Sequence, residues 1–160
     1  MKNFSGHADV IINIQGDEPF IQPGQIDEIA SCFHTQDAQL ATLVKKINTS
    51  EDLFNVNVPK VLLNKQKEAI CFSRQAIPHI RGKKEEEWLE AYTFYKHIGI
   101  YAYNAEGQIT ALQPSSLEIA EGLEQLRWIE NGYKIKVELT DYESVAIDVP
   151  DDLQKLTKFL

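Results

Sequence analysis

The chain has 160 residues, 43% of them hydrophobic, which suits one domain with a single buried core. Its formal net charge of −8 argues against a nucleic-acid partner, because such proteins concentrate positive charge on one face. The sequence shows no signal-peptide core, no membrane-length apolar run and no metal-ligand or disulfide spacing of its two cysteines, so we expect a cytoplasmic protein without membrane contact.

Helical and strand-like periodicities alternate along the chain, as is typical of an α/β fold. Residues 10–15 predict a short, fully buried strand of a parallel sheet, which runs into the turn Gly16-Asp17-Glu18-Pro19. A stripe of apolar residues every three or four positions then predicts a helix over 26–33. Further strands are predicted at 40–47, 58–63, 68–74, 97–103 and 134–140, and a short capped helix at 50–54.

Three features of the second half refine this pattern. The strands at 58–63 and 68–74 are predicted to pair as a hairpin, which makes the sheet mixed. The charged segment 77–90 predicts an exposed loop entering a short helix, either as a solvated surface or as a substrate lid. Ser115 and Glu118 form a capping-box pattern that predicts a helix as far as Asn131, ended by Gly132.

Two short apolar segments each end in an aspartate, Asp17 and Asp148. Ligands of open α/β sheets bind beyond the carboxyl ends of the strands, so two such carboxylates at one edge can share a cation such as Mg²⁺. Each aspartate also has a simpler interpretation. Asp17 fits an ordinary polar turn, and Asp148 fits the cap of a helix that begins at Pro150.

Other polar residues leave similar alternatives open. Arg74 ends a predicted strand and fits either a clamp for a carboxylate or phosphate or a surface ion pair. His97 shares one strand face with Gly99, Tyr101 and Tyr103, and fits either a contact to a sugar or carboxylate or a hydrogen bond within the core. Glu124 is three residues from Arg127 and fits a helical ion pair.

Six segments occur in an order that resembles the 3-deoxy-manno-octulosonate cytidylyltransferase family, also called the CMP-Kdo synthetases. They are residues 13–19, 72–78, 97–103, 113–118, 123–127 and 147–153. The chain departs from the family pattern at Ser116, where proline is usual, and at Val149, where threonine is usual. Neither departure removes a charged group.

The resemblance implies a Rossmann-like nucleotide-diphospho-sugar transferase fold with a mixed, mainly parallel sheet. It also implies transfer of CMP from CTP to 3-deoxy-manno-octulosonate (Kdo), with release of pyrophosphate, for lipopolysaccharide biosynthesis. By position, Asp17 and Asp148 are the implied catalytic and Mg²⁺-binding residues. The implied sugar site consists of Arg74, which neutralises the Kdo carboxylate, and four residues that hold its hydroxyls, His97, Tyr101, Glu124 and Gln125.

One departure from the family is large. Its members begin with a strand and an Ala-Arg-x-x-Ser-x-Arg-Leu-Pro-x-Lys loop for the triphosphate, and nothing similar precedes Asp17. We therefore expect residues 1–160 to form a single, incomplete catalytic domain, truncated at the amino terminus, that binds CTP poorly and catalyses slowly or not at all alone. Uncovered sheet edges also favour a homodimer, with the hairpin at 60–74 and the following loop as interface candidates.

Two alternatives remain open beside this reading. One is a sister cytidylyltransferase that activates another sugar acid, such as a sialic acid, because the metal and phosphate chemistry is the same. The other is a non-catalytic module that binds sugar or dimerises.

Overall fold

The structure is a computed structural model that describes residues 9–16, 20–34, 38–105 and 111–143. Short helices and strands alternate within these ranges, as the periodicity predicts. The strands are β1 (Val10–Ile14), β2 (Leu40–Lys46), β3 (Lys60–Leu63), β4 (Ala69–Ser73), β5 (Tyr95–Asn104) and β6 (Ile135–Leu139). The α-helices are α1 (Pro23–Ser31), α2 (Ser50–Phe54), α3 (Trp88–Ala91), α4 (Ser116–Glu121) and α5 (Gln125–Glu130), and 3-10 turns occupy Cys32–His34 and Glu85–Glu87.

The six strands form one sheet in the order β4-β3-β5-β2-β6, with β1 paired to β5. The long strand β5 is the centre of this sheet. It pairs with β2 along one side, and with β3 and β1 at opposite ends of its other side. β2 lies between β5 and β6, and its first five residues are all buried. This position explains why β2 is an almost continuous apolar run.

The sheet is mixed, as predicted, but it is not mainly parallel among the described strands. Only β2 and β6 run parallel, and the other four strand pairings are antiparallel. The cause is the central position of β5, which runs opposite to β1, β2 and β3. An apolar run indicates burial but carries no information about the direction of its neighbour, which is why the sequence-based expectation was wrong on this point.

The expectation for β1 needs the same correction. β1 is antiparallel to β5 and only partly covered, with Ile11 39% and Ile14 43% exposed. Within the described part of the chain, β1 has a strand neighbour on one side alone. Its apolar residues are therefore less shielded than those of β2.

The helix predicted from Ser115 to Asn131 is two helices. α4 ends at Glu121 and is capped by Gly122, which has a left-handed backbone conformation with φ of +62° and donates its N–H to the carbonyl of Glu118. The chain then turns, and α5 begins at Gln125. Glycine adopts this conformation without the steric cost that other residues meet, so it can end a helix whose apolar pattern continues. As a result, Glu124 and Gln125 lie at the start of α5 and not inside a long helix.

The other local predictions that fall on described residues are confirmed. α2 spans the predicted residues, with the Thr49 hydroxyl accepting a hydrogen bond from the N–H of Asp52 at 3.2 Å. β3 and β4 pair as a hairpin, and α1 and β6 occur where the periodicity predicts them. Residues 81–86 are exposed and lead into α3. The apolar segment that ends in Asp148 and the helix expected to begin at Pro150 lie outside the described residues, as does Asp17.

Two apolar clusters cover opposite faces of the sheet. The α1 face includes Ile29, Ala41, Leu43, Ile98, Ile100 and Ala102. The α5 face includes Leu40, Val44, Val61, Phe72, Tyr101, Leu123, Leu126, Trp128, Ile135 and Val137. We call this second surface the α5 face.

Both cysteines are free thiols and both are half-buried. Burial raises the pKa of each, that of Cys32 to about 11, so the thiols are protonated at neutral pH. None of the described helices combines the length and apolar character that a membrane-spanning segment needs.

Candidate functional site

A β-bulge in β5 shapes the centre of the candidate site. Thr42 of β2 lies opposite Tyr101, but the next residue, Leu43, lies opposite Ile98, so Gly99 and Ile100 are extra residues in β5. His97 and Tyr101 project on the α5 face, and their rings are 5.1 Å apart between centroids. The prediction that these two residues share one face of the strand is confirmed.

The His97 ring is held by one hydrogen bond and by aromatic neighbours. Its Nε2 lies 2.9 Å from the Thr42 hydroxyl, and the ring of Phe72 meets it edge to face at 5.4 Å. Burial lowers the pKa of His97 to about 3, so the imidazole is neutral at physiological pH. His97 therefore acts as a neutral hydrogen-bonding group and not as a cation.

Tyr101 connects this ring cluster to α5. Its side chain is 1% exposed and packs edge to face against Trp128, with centroids 5.1 Å apart. Burial raises the pKa of Tyr101 well above its usual value, and the negative charge of Glu124 adds to the effect. The phenol therefore stays protonated. Because Trp128 belongs to α5, this ring contact places α5 over the face that carries Tyr101.

The side chain of Arg74 links the end of β4 to two other segments of the chain. Nε donates to the carbonyl of Glu121 at 2.7 Å, Nη1 to that of Val56 at 3.0 Å, and Nη2 to that of Gly122 at 3.2 Å. These bonds use three of the five N–H donors of the guanidinium. They hold the α4–α5 corner against the end of β4, so Arg74 is a structural brace as well as a candidate ligand.

Two further residues belong to this corner, and sequence reasoning did not identify them. The carboxylate of Glu121 accepts hydrogen bonds from the Ser73 hydroxyl at 2.8 Å and from the backbone N–H of Arg74 at 3.0 Å. Lys60 is fully buried and donates from Nζ to the carbonyl of Asn55 at 2.8 Å. Burial, with a smaller contribution from the charge of Arg74, lowers the pKa of Lys60 to about 8.

The ion pair expected between Glu124 and Arg127 is present but long. The Nη1 atom of Arg127 lies 3.9 Å from Glu124, whereas its Nε donates to Glu118 at 2.7 Å and Nη2 meets the other oxygen of the same carboxylate. Glu118 is thus the main partner of Arg127, and this pair joins α4 to α5. Glu124 is exposed, whereas Gln125 is only 3% exposed.

The predicted metal-binding aspartates, Asp17 and Asp148, both lie outside the described residues. In the ranges that are described, no group of three or more histidine, cysteine or acidic side chains is arranged to hold a metal ion. The chain leading to Asp17 is anchored at the bulge, since the N–H of Gln15 donates to the carbonyl of Gly99 at 3.4 Å. This contact brings the start of the predicted turn next to the strand that carries His97 and Tyr101.

Comparison with known proteins agrees with this architecture. The family model described as "Cytidylyltransferase" matches residues 1–135. Among curated proteins, the chain is similar to the 3-deoxy-manno-octulosonate cytidylyltransferases of Parabacteroides distasonis, with 58% identity over 95% of the chain, and of Bacteroides thetaiotaomicron, with 54% identity over 97%. It spans 63% and 64% of the length of these two relatives.

Solved structures show the same likeness. The chain is similar to a CMP:2-keto-3-deoxy-manno-octonic acid synthetase complexed with CTP, with a TM-score of 0.82 and 32% identity, over 96% of this chain and 62% of that one. A glucose-1-phosphate thymidylyltransferase from Bacillus anthracis matches with a TM-score of 0.55 and 17% identity, over 94% of this chain and 54% of that one. At that identity the likeness concerns the fold alone. The expected nucleotidyltransferase-like α/β fold is confirmed.

Proposed function

Since this chain belongs to the cytidylyltransferase family, we propose that it takes part in the transfer of CMP from CTP to Kdo, with release of pyrophosphate, for lipopolysaccharide biosynthesis. The observation that carries the proposal is the arrangement of Arg74, His97, Tyr101 and Glu124 around the α5 face. Relatives that are 58% and 54% identical to this chain over the aligned residues have the name of this activity.

The chemistry of these side chains suits a sugar acid. A neutral imidazole, a protonated phenol and a carboxamide from Gln125 each offer hydrogen bonds to hydroxyl groups without adding charge. The carboxylate of Glu124 accepts from a hydroxyl and repels an anion, which favours an orientation with the sugar carboxylate at Arg74. The side-chain hydrogen bonds of Arg74 go to backbone carbonyls, which bring no negative charge to the guanidinium.

In this proposal Asp17 and Asp148 hold Mg²⁺. Two carboxylates are a donor set that suits this ion, which usually takes one or two protein carboxylates and completes its coordination with water and substrate phosphates. When bound, the ion supplies charge neutralisation at the phosphate under attack. The residues of the α5 face contribute position, because holding the sugar hydroxyl in line with the phosphate removes much of the entropic cost of the encounter.

The proposal is tested first by binding. Calorimetric titration of the chain with Kdo is expected to show saturable binding, which weakens roughly tenfold in Tyr101→Phe because one buried hydrogen bond to the sugar is lost. Tyr133→Phe, a partly buried tyrosine at the edge of the same cluster, serves as the matched control and is expected to bind as the unmodified chain does. A folded chain that does not bind Kdo contradicts the proposal.

A second assay addresses the chemistry. Mg²⁺-dependent release of pyrophosphate from CTP, with Kdo as the acceptor, is measured for the chain and for Asp17→Asn. Release that disappears in Asp17→Asn identifies Asp17 as part of the working site and excludes a contaminating enzyme. Release that is equal in both proteins contradicts the role proposed for Asp17.

We also propose that the chain acts in the cytoplasm as a homodimer formed through the β3–β4 hairpin. β4 is the outer strand of the described sheet, and Ile70 on it is 54% exposed, which favours pairing with a second copy. Both thiols are free, which suits a reducing compartment. Sedimentation velocity is expected to show a dimer that Ile70→Lys converts to a monomer, and a monomeric unmodified chain contradicts this part of the proposal.

A further inference from the structure

Thr42 contacts the functional face without appearing in any of the motifs. Its side chain is fully buried on β2, directly opposite Tyr101. Its Oγ1 atom lies 2.9 Å from His97 Nε2, 2.7 Å from the carbonyl oxygen of Ile100 and 3.5 Å from that of Ile98. The bulge at Gly99 and Ile100 accounts for this set of neighbours, because it changes the register of β5 against β2 at this point.

The single hydroxyl proton of Thr42 decides which nitrogen of His97 carries a proton. A carbonyl oxygen can only accept, so the 2.7 Å contact to Ile100 requires the hydroxyl to donate there. If the proton pointed to His97 instead, the two oxygens would face each other with lone pairs at 2.7 Å. The Thr42 oxygen must therefore accept from His97, and the donor is the Nε2–H group.

We propose that Thr42 is a positioning residue that fixes the Nε2–H tautomer of His97 and leaves Nδ1 as an obligate hydrogen-bond acceptor. An acceptor pairs with a hydroxyl or another donor and repels a carboxylate or phosphate oxygen. His97 thus accepts a hydrogen bond from a hydroxyl group of the substrate. The identity of that substrate rests on the proposed function, whereas the tautomer does not.

The surroundings of His97 support the neutral form that this role needs. Phe72 and Tyr101 cover the ring, and burial keeps its pKa far below neutrality. A charged imidazole would donate from both nitrogens and attract an anion. In the neutral ring Nδ1 accepts a hydrogen bond, whereas Arg74 donates hydrogen bonds. The two residues therefore distinguish the hydroxyl end of a sugar acid from its carboxylate end.

The tautomer is measured on the unliganded chain. A long-range ¹⁵N–¹H correlation spectrum of uniformly labelled protein, with the His97 signals identified from His97→Gln, is expected to show a proton on Nε2 and a bare Nδ1 between about pH 6 and pH 8. A proton on Nδ1, or protons on both nitrogens, overturns the proposal. This reading depends neither on a ligand nor on catalysis.

Substitution of Thr42 tests the consequence for binding. Thr42→Val preserves the shape of the side chain and removes the hydroxyl, so the Nε2–H signal is expected to shift and the Kd for Kdo to rise roughly threefold to tenfold. Thr42→Ser keeps the hydroxyl and is expected to restore both readouts. Thr140→Val, at another buried threonine, is the matched control and is expected to change neither.

The outcomes separate the two proposals. If Thr42→Val leaves both the His97 signals and the Kd unchanged, the role of Thr42 is refuted. If the Nε2–H tautomer is present and depends on Thr42, but the folded chain does not bind Kdo, the positioning role stands and the proposed substrate is refuted.

Discussion

Arg74→Lys separates the structural role of Arg74 from its proposed role as a ligand. Lysine keeps the positive charge but replaces a planar fork of five donors with a single ammonium group. The arginine side chain reaches the carbonyls of Val56, Glu121 and Gly122, which lie on two different segments of the chain. An ammonium group can reach one of these segments but not both, so at least one of the three bonds is lost, and two are lost if it keeps a single carbonyl.

The size of the effect follows from those bonds. A hydrogen bond from a charged donor contributes about 1.5–3 kcal/mol to the free energy of unfolding when it is shielded from water, and less when it is exposed. The bond to Glu121 is partly buried, and the bonds to Val56 and Gly122 are exposed. We therefore expect Arg74→Lys to lower the free energy of unfolding by about 2 kcal/mol. With a urea m-value of about 2 kcal/mol/M, the unfolding midpoint falls by about 1 M.

The assay is equilibrium unfolding in urea followed by tryptophan fluorescence, because Trp128 packs at the α5 face next to Tyr101. Arg81→Lys is the matched control, since Arg81 is exposed in the loop before α3, and its midpoint is expected to stay within about 0.25 M of the unmodified chain. If the urea midpoint of Arg74→Lys also stays within that range, the three hydrogen bonds of Arg74 contribute little to stability. Arg74 then acts only as a ligand, and the variant shows weaker Kdo binding without loss of stability.

Three further predictions concern the same corner and the helices beside it. Gly122→Ala is expected to lower the free energy of unfolding by about 1–2 kcal/mol in urea titrations, because φ of +62° strains any residue with a Cβ atom, and Gly122→Asn is expected to cost less. The pKa of Lys60 is about 8 in the folded chain, which is below its value in the unfolded chain. Between pH 8 and about 10.5 the unfolded chain therefore binds more protons than the folded chain, and the free energy of unfolding should rise with pH. Lys60→Met should lack this rise, and a parallel pH dependence of the two urea midpoints would contradict the assignment. Glu118→Gln should lower the free energy of unfolding by about 1–3 kcal/mol in the same titration, because it removes the main charged partner of the half-buried Arg127. Equal stability of the two proteins would show that water replaces the lost ion pair.

Local signals predict the elements of this fold, and distant contacts decide their arrangement. The short helix at Ser50–Phe54 and the β3–β4 hairpin were predictable because each depends on residues within a few positions of one another. The direction of β1 was not, since it depends on pairing with β5, about ninety positions away. A lone glycine in a helical pattern costs only about 1 kcal/mol, so Gly122 alone does not reveal a break.

The candidate site residues show the same difference between local signals and distant contacts. The two-residue period of β5 was enough to place His97 and Tyr101 together. Thr42 and Glu121 were missed because their partners His97 and Arg74 are 55 and 47 positions away in the sequence. Neither residue belongs to a local motif, and threonine in a strand is common for reasons of packing alone. The role of such residues can be identified only when the register of the sheet is known.

The register of β5 links these contacts into one arrangement. Without the bulge at Gly99 and Ile100, the Thr42 hydroxyl would have a different set of carbonyl neighbours, and the proton of His97 would not be determined by it. The N–H of Gln15 pairs with the carbonyl of Gly99 in the same bulge, so the chain that continues to Asp17 is attached at the same place. Bulges often occur next to active sites, where they redirect a side chain. In this chain one irregularity sets the hydrogen-bonding direction of a proposed sugar-site residue and anchors the segment that leads to a proposed metal ligand.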